Sequence, residues 1–448
     1  MKIIFYGGAG SVTGSNYMIE SGNTRILVDC GMSQGSSFAE KENFENFAYD
    51  VSSVQAIFVT HAHIDHTGKI PKIVKDGFKG KIYSTPPTKD FAELLLIDSE
   101  HVLQEESNKT GLPDLYETED VEAAMGMWEA VAYHKPIQVG PFKATFYDAG
   151  HILGSATIKI EAEGKSIMFS GDLGNYPAPI IHNTEHLPEV DYCVIESTYG
   201  ARVHEDTSAR EGELEDVIED TAKRGGVLMI PAFAMERTQE LLYHIDALMR
   251  HGRVPGIPVF MDSPLAIKLT AVYKKYEKYF NPETFDLVRS GEDIMNFPGL
   301  KMTLTVEQSK EINNVPSPKI IIAGSGMSNG GRIRHHERRY LSDPKSTILF
   351  VGYQAVGTLG RAILEGAKTV HIFGEEVSVR CQIRTITAYS AHADQPRLLA
   401  WLKPRSETLK KVFVVQGEEG SSEIFAAKVK EELAVDSYVP QKAEEIVI

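Results

Sequence analysis

Thr60-His61-Ala62-His63-Ile64-Asp65-His66-Thr67-Gly68 sets three imidazoles and a carboxylate within six residues. The run before it, Ala56-Ile57-Phe58-Val59-Thr60, is apolar and rich in β-branched side chains, which predicts a buried strand over 56–60. A turn leaving such a strand aims alternate side chains, His61 and His63, at one point, while Asp65 and His66 turn toward another. Imidazole with carboxylate suits zinc, manganese or iron. Read alone, the stretch is also compatible with a histidine-rich surface loop. The partners that a metal site needs, found downstream, weigh against that.

Gly150-His151-Ile152-Leu153-Gly154-Ser155 follows a predicted strand over 142–148. Ser170-Gly171-Asp172-Leu173-Gly174 closes one over 166–170, and Leu27-Val28-Asp29-Cys30-Gly31 closes one over 25–29. Each sets a histidine or aspartate at a strand end among small residues, where backbone can approach an ion without steric cost. Singly, an aspartate at a strand end is more often a cap or a turn former. Together with the first cluster, the three segments make a candidate metal set.

The rest of the chain frames that set. Its 448 residues, 42% hydrophobic and 24% charged, have ordinary globular composition and suggest roughly two or three domains. Cys30, Cys193 and Cys381 are far apart and form no CxxC pair, which argues for a reducing compartment. The first residues read as a strand running into Gly7-Gly8 rather than as a signal peptide, and no apolar run is long enough to span a bilayer. A cytoplasmic protein without membrane partners is expected. A formal net charge of −16 disfavours non-specific coating of nucleic acid, but not a nucleic-acid substrate held in a local basic groove. Up to about residue 200, strands with glycine turns dominate, with a helical stretch over 89–132. From about 201, helices (211–224, 238–251, 266–279) alternate with buried strands (226–231, 259–262, 319–323, 347–351), the pattern of a parallel α/β sheet. After about 373 the earlier style returns, with strands over 377–386 and 412–415 flanking a helix over 395–402. The simplest layout is one domain, 1–200 and 373–448, interrupted by another at 201–372.

Asp29, His61-x-His63-x-Asp65-His66, His151 and Asp172 together resemble the signature of the metallo-β-lactamase fold. Later segments resemble its β-CASP branch, nucleases that process RNA or repair DNA. These are Ile195-Glu196-Ser197-Thr198-Tyr199-Gly200, Pro231-Ala232-Phe233-Ala234, Gly324-Ser325-Gly326-Met327-Ser328-Asn329-Gly330-Gly331, Val351-Gly352-Tyr353-Gln354 and Ser390-Ala391-His392-Ala393-Asp394. The resemblance covers essentially the whole chain. It implies an α/β fold, a metallo-β-lactamase αββα sandwich with an inserted α/β β-CASP domain as a lid. By position it implies that His61, His63 and His151 hold one ion, that Asp65 and His66 hold a second, and that Asp172 bridges both. Asp29 then orients ligands from behind. Two Zn²⁺ are expected, clamping a phosphodiester for in-line attack by metal-activated hydroxide. Homodimerisation is plausible from the family.

A leaving oxygen needs a proton donor. The residues alone make Glu196 a salt-bridge partner and His392 a residue at a helix start. The resemblance makes them a catalytic pair beside Asp65, with Glu196 orienting His392 and raising its basicity. The segment 324–331 follows a buried strand, and its glycines and serines can present N–H groups to a phosphate or form a plain connection. The basic run after it, Arg332, Arg334, His335, His336, Arg338 and Arg339, favours an RNA-backbone contact. Ser325, Gly326, Arg332 and Ser390 are the candidate substrate contacts. Phe233 and Tyr353 can offer stacking faces to bases, though each is more often core.

One position departs from the pattern. The RNA-acting branch has a histidine before Gly-Glu as a ligand of the second ion, and the DNA-acting branch usually has valine. Here the sequence is Val414-Val415-Gln416-Gly417-Glu418. An amide oxygen is a weaker, harder ligand than imidazole, so the second ion is expected to be held less firmly, with a shift toward manganese or magnesium. The expected function is a metal-dependent ribonuclease acting on single-stranded RNA. The alternatives are an RNA-binding or complex subunit of weak or no activity, favoured only by Gln416, and a thioester or lactam hydrolase, which needs no inserted domain.

Overall fold

Every second residue of the early strands enters one shared core: Ile3 and Phe5, Tyr17 and Ile19, Ile26 and Val28, Ala56 and Phe58. From the opposite side come Phe142, Ala144 and Phe146, then Ala156, Ile158 and Ile160, then Ile167 and Phe169. A period of two on both sides is what two facing sheets require. The computed structural model describes residues 1–35, 40–111, 113–204, 209–355, 357–418 and 420–448. These divide into two units, Met1–Val203 with Ala391–Ile448, and His204–Ser390.

The first unit has two seven-stranded sheets. One orders Glu445–Val447, Lys2–Gly7, Asn16–Ser21, Thr24–Val28, Val54–Phe58, Lys81–Ser84 and Trp128–Ala130. The other orders Ser437–Tyr438, Lys411–Val415, Tyr192–Glu196, Lys165–Phe169, Ala156–Ala162, Phe142–Asp148 and Ile137–Val139. Helices cover both outer faces. Pro86–Thr110 and Thr118–Met127 pack on the first sheet. On the second, Leu398 and Leu402 of Gln395–Leu402 and Phe425 and Val429 of Ser421–Leu433 meet Met168, Cys193, Ile195, Val412 and Val414. The fold is the αββα sandwich. All three cysteines are free and buried.

The second unit holds a parallel six-stranded sheet, ordered Leu300–Met302, Val259–Met261, Lys319–Ala323, Val227–Pro231, Thr347–Phe350 and Gln382–Thr385. Apart from Lys319 and Thr347 at their starts, its central strands are apolar because both faces are covered. Leu228, Ile230, Ile320 and Ile322 pack with Leu241, Leu242 and Ile245 on one face. Val227, Met229, Ile321 and Ile348 pack with Ile333, Leu341 and Ile363 on the other.

The crossing back to the first unit comes at 391, not at 373 as the sequence pattern suggests. The expected single strand over 377–386 is two. Glu375–Ser378 pairs with Thr369–Ile372, and Gln382–Thr385 joins the parallel sheet beside Thr347–Phe350. Between them the chain turns, with the N–H groups of Arg380 and Cys381 donating to Leu341 O at 2.8 and 2.9 Å. Among the described residues, no helix is long and apolar enough to cross a membrane.

Candidate active site

Strand Val54–Phe58 delivers Thr60 and His61 to one edge of the sandwich. His63 then heads the four-residue helix Ile64–Thr67, whose single turn carries Asp65 and His66 and brings the His66 ring back to 4.0 Å from the His61 ring, centroid to centroid. Thr60 ties this stretch together. Its N–H and hydroxyl donate to Asp29 Oδ1 and Oδ2, both at 2.8 Å. With its proton spent there, the hydroxyl oxygen accepts from His61 Nδ1 at 3.1 Å, leaving Nε2 free to ligate. Asp29 also takes His66 Nδ1 at 2.7 Å. It sits in the left-handed region, φ 59°, which costs a non-glycine residue about 1–2 kcal/mol. Three hydrogen bonds on a buried carboxylate offset that cost.

Three imidazoles and a carboxylate then converge. His63 Nδ1 is 3.0 Å from His61 Nε2 and 3.3 Å from His151 Nε2. Asp172 Oδ2 is 3.4 Å from His61 Nε2 and 3.6 Å from His151 Nε2. One ligand atom from each of the four residues lies within 4.8 Å of all the others. Ser155 Oγ shapes the His151 loop by accepting from the N–H groups of His151 and Ile152 at 3.0 and 3.2 Å. His151 Nδ1 donates to Ala391 O at 3.3 Å, so Nε2 faces the cluster. Gly174 lets the loops close up: a Cβ there would fall 1.8 Å from Gly150 O. Burial, reinforced by neighbouring histidines, holds the pKa of His63 and His151 well below the usual value. Neutral rings crowded on a carboxylate fit a divalent cation of the zinc type.

The second position is arranged differently. His66 Nε2 lies 3.3 Å from Asp172 Oδ1 and 3.8 Å from Asp65 Oδ2. Burial opposes charge on His66, but Asp172, Asp29 and Asp65 outweigh it and raise its pKa well above the ordinary range. Gln416 presents its amide nitrogen here, 2.8 Å from Asp172 Oδ1 and 3.1 Å from His66 Nε2. In place of an amide oxygen, the amide nitrogen faces these two candidate ligands.

On the other side of Asp172 lies a candidate acid. The segment 391–394 is pinned by Asn175 N–H to Ala391 O at 2.9 Å and by Ala393 N–H to Leu173 O at 2.8 Å. This sets His392 Nδ1 3.3 Å from Glu196 Oε2 and 3.8 Å from Asp172 Oδ2. Glu196, fully buried at the end of Tyr192–Glu196, is held by Leu173 N–H at 2.6 Å. Burial lowers the pKa of His392, but Glu196, with Asp172 and Asp65, raises it to about 9. Asp172, Glu196 and His392 also form a second cluster with metal-ligating geometry.

The candidate substrate contacts lie in the second unit, and Arg332 turns inward. Arg332 donates through Nη1 to Asp262 Oδ1 at 2.8 Å and to Thr303 O at 2.9 Å, and through Nη2 to Leu304 O at 2.9 Å. The N–H groups of Ser325, Ser328 and Gly330 close segment 324–331 on itself. Gly326 O accepts from Gln354 Nε2 at 3.0 Å. Ser390 is the last residue of the unit. Phe233 and Tyr353 are 48% and 41% exposed, so neither is core. Sequence reading missed Thr60, because a β-branched residue ending a strand looks like part of that strand. It also missed Asp262, although Met261-Asp262-Ser263 repeats the strand-end aspartate pattern.

Three family profiles match: "Metallo-beta-lactamase superfamily" over residues 9–187, "Beta-Casp domain" over 238–363, and "Zn-dependent metallo-hydrolase RNA specificity domain" over 376–440. The chain is 37% identical to a Thermus thermophilus protein named Ribonuclease TTHA0252, over 94% of each chain. It is 34% identical to an RNase J-like protein of Methanocaldococcus jannaschii, over 97% of each. A Transcription termination factor FttA of Methanosarcina mazei is 30% identical, over 98% of this chain and 70% of that one. A solved structure of an Enterococcus faecalis V583 protein of unknown function shares the fold at a TM-score of 0.57 and 12% identity, covering 100% of this chain and 99% of that one.

Proposed function

Because the chain belongs to the β-CASP branch of the metallo-β-lactamase superfamily, we propose that it is a metal-dependent ribonuclease that hydrolyses phosphodiester bonds of single-stranded RNA. The observation that carries this reading is the sharing of Asp172 between the His61–His63–His151 cluster and the His392–Glu196 pair. His61, His63, His151 and Asp172 would hold zinc. A bound ion of that kind acidifies water and offsets phosphate charge. His392 holds a proton at neutral pH and lies 3.8 Å from the shared carboxylate, a place from which to protonate a leaving oxygen. Glu196 keeps that ring charged and oriented, and the hydrogen bond from Leu173 N–H fixes Glu196 in turn. In the second unit, the exposed rings of Phe233 and Tyr353 supply base-stacking surfaces that need an unpaired strand.

The test is incubation with labelled single-stranded RNA, duplex RNA, single-stranded DNA and a thioester, with and without chelator. Chelator-sensitive cleavage of single-stranded RNA in preference to the others is expected, and thioester turnover alone would overturn the reading. The Gln416 contacts favour a second reading, an RNA-binding subunit of weak or no activity. RNA binding without chelator-sensitive cleavage would select it.

A further inference from the structure

Gln416 ends the strand Lys411–Val415 in the left-handed region, φ 51°, and is 2% exposed. Its N–H donates to Gly8 O at 2.7 Å, and its carbonyl accepts from Thr198 Oγ1 at 3.2 Å. Gly8, at φ 70°, leaves the side chain its path: a Cβ there would lie 3.4 Å from Gln416 Cγ and 2.4 Å from Tyr17 Oη. A strained, doubly bonded backbone in a buried place leaves this side chain little freedom. It reaches His66 Nε2 and Asp172 Oδ1, two atoms themselves 3.3 Å apart.

A second ion held by His66 and Asp172 would draw on a lone pair of each. The amide nitrogen of Gln416 draws on the same two atoms. A primary amide carries two N–H donors on one nitrogen and an acceptor oxygen beside them. One of those donors serves Asp172 Oδ1, and the same nitrogen lies against His66 Nε2. It brings no charge, so it leaves Asp172 an undiminished anion for the His61–His63–His151 position. The donor set thus fits one ion and not two.

We propose that Gln416 takes the place of the second ion, so that the protein holds one ion tightly and Gln416 positions the shared carboxylate. This rests on the reading of His61, His63, His151 and Asp172 as ligands. The test counts ions. The natural protein, Gln416→His and Gln416→Ala are loaded with zinc and dialysed, and zinc per chain is measured by elemental analysis, with circular dichroism confirming the fold. One ion per chain is expected for the natural protein and two for Gln416→His, which supplies a ring nitrogen. Gln416→Ala should hold one tightly and a second roughly tenfold or more weakly. Two ions of equal affinity in the natural protein would overturn the proposal, as would a folded Gln416→His that holds only one. RNA cleavage measured on the same preparations separates the two readings. One ion without cleavage upholds the proposal and sinks the ribonuclease, whereas cleavage with two equal ions does the reverse. No ion at all overturns both.

Discussion

Two buried aspartates close strands in the two units, and they are partnered in opposite ways. Asp262, after Val259–Met261, is saturated by donors: Arg332 Nη1 at 2.8 Å, and His336 Nε2, Thr303 Oγ1 and Ser309 Oγ each at 2.7 Å. Burial opposes its charge, but these hydrogen bonds prevail and hold its carboxyl well below the usual range. Asp172, after Lys165–Phe169, is faced by His61, His66, His151 and His392 at 3.3–3.8 Å. Only Gln416 comes closer among the contacts described, at 2.8 Å. A carboxylate locked by close donors is a structural post. One ringed at longer range by imidazoles has room for a cation and a use for it.

The two carboxylates should respond to removal in opposite ways. Asp172→Ala should lose the bound ion and reduce RNA cleavage by about a thousandfold or more. Asp262→Ala should keep the ion and instead lose about 3–5 kcal/mol of stability, read from denaturant unfolding. A metal-replete Asp172→Ala, or a metal-free Asp262→Ala, would reverse the assignment.

His392→Ala should lower kcat by about 10²–10⁴-fold with zinc content unchanged. Asp29→Asn weakens the support under Thr60 and His66, and should reduce metal affinity roughly 10–100-fold, measured by chelator competition.

The pH dependence tests the same side of the comparison. The folded-state pKa of His392 is raised to about 9, so the ring is charged below that value and loses its proton above it. Cleavage should therefore fall as pH rises through about 9. The stability contributed by the His392–Glu196 pair should be fully present below about 6.5 and fade over the same rise. Glu196→Gln should move the alkaline limb of the rate profile down toward about 6.5. A limb that stays near its original position would remove Glu196 from this role. The smallest effect is expected at Arg332, whose guanidinium is committed to Asp262, Thr303 and Leu304. Arg332→Ala should leave the salt dependence of RNA binding unchanged, whereas a slope reduced by about one would restore Arg332 as a phosphate contact.

Much of this was legible because it is local. The alternation at Ile3 and Phe5 or Ile167 and Phe169, and the unbroken apolar runs Val227–Pro231 and 320–323, follow directly from strand patterning. The spacing His61, His63, Asp65, His66 already encodes a strand end followed by one helical turn. What was not legible depends on distant pairing. Arg332 looked like a surface cation because its partner Asp262 lies 70 residues upstream. Gln416 looked like a weak oxygen ligand because the two atoms it meets belong to residues 350 and 244 positions away. The boundary at 391 rather than 373 was hidden for the same reason. Nothing near Gln382–Thr385 shows that its neighbour is Thr347–Phe350.

An ion held around Asp172 is proposed to drive RNA hydrolysis. The decisive measurement titrates zinc into metal-stripped protein while following cleavage of a labelled single-stranded RNA. The stripped protein should not cleave, and the rate should rise in proportion to occupancy until one ion per chain is bound. Cleavage by the stripped protein, or none at any occupancy, would contradict that role.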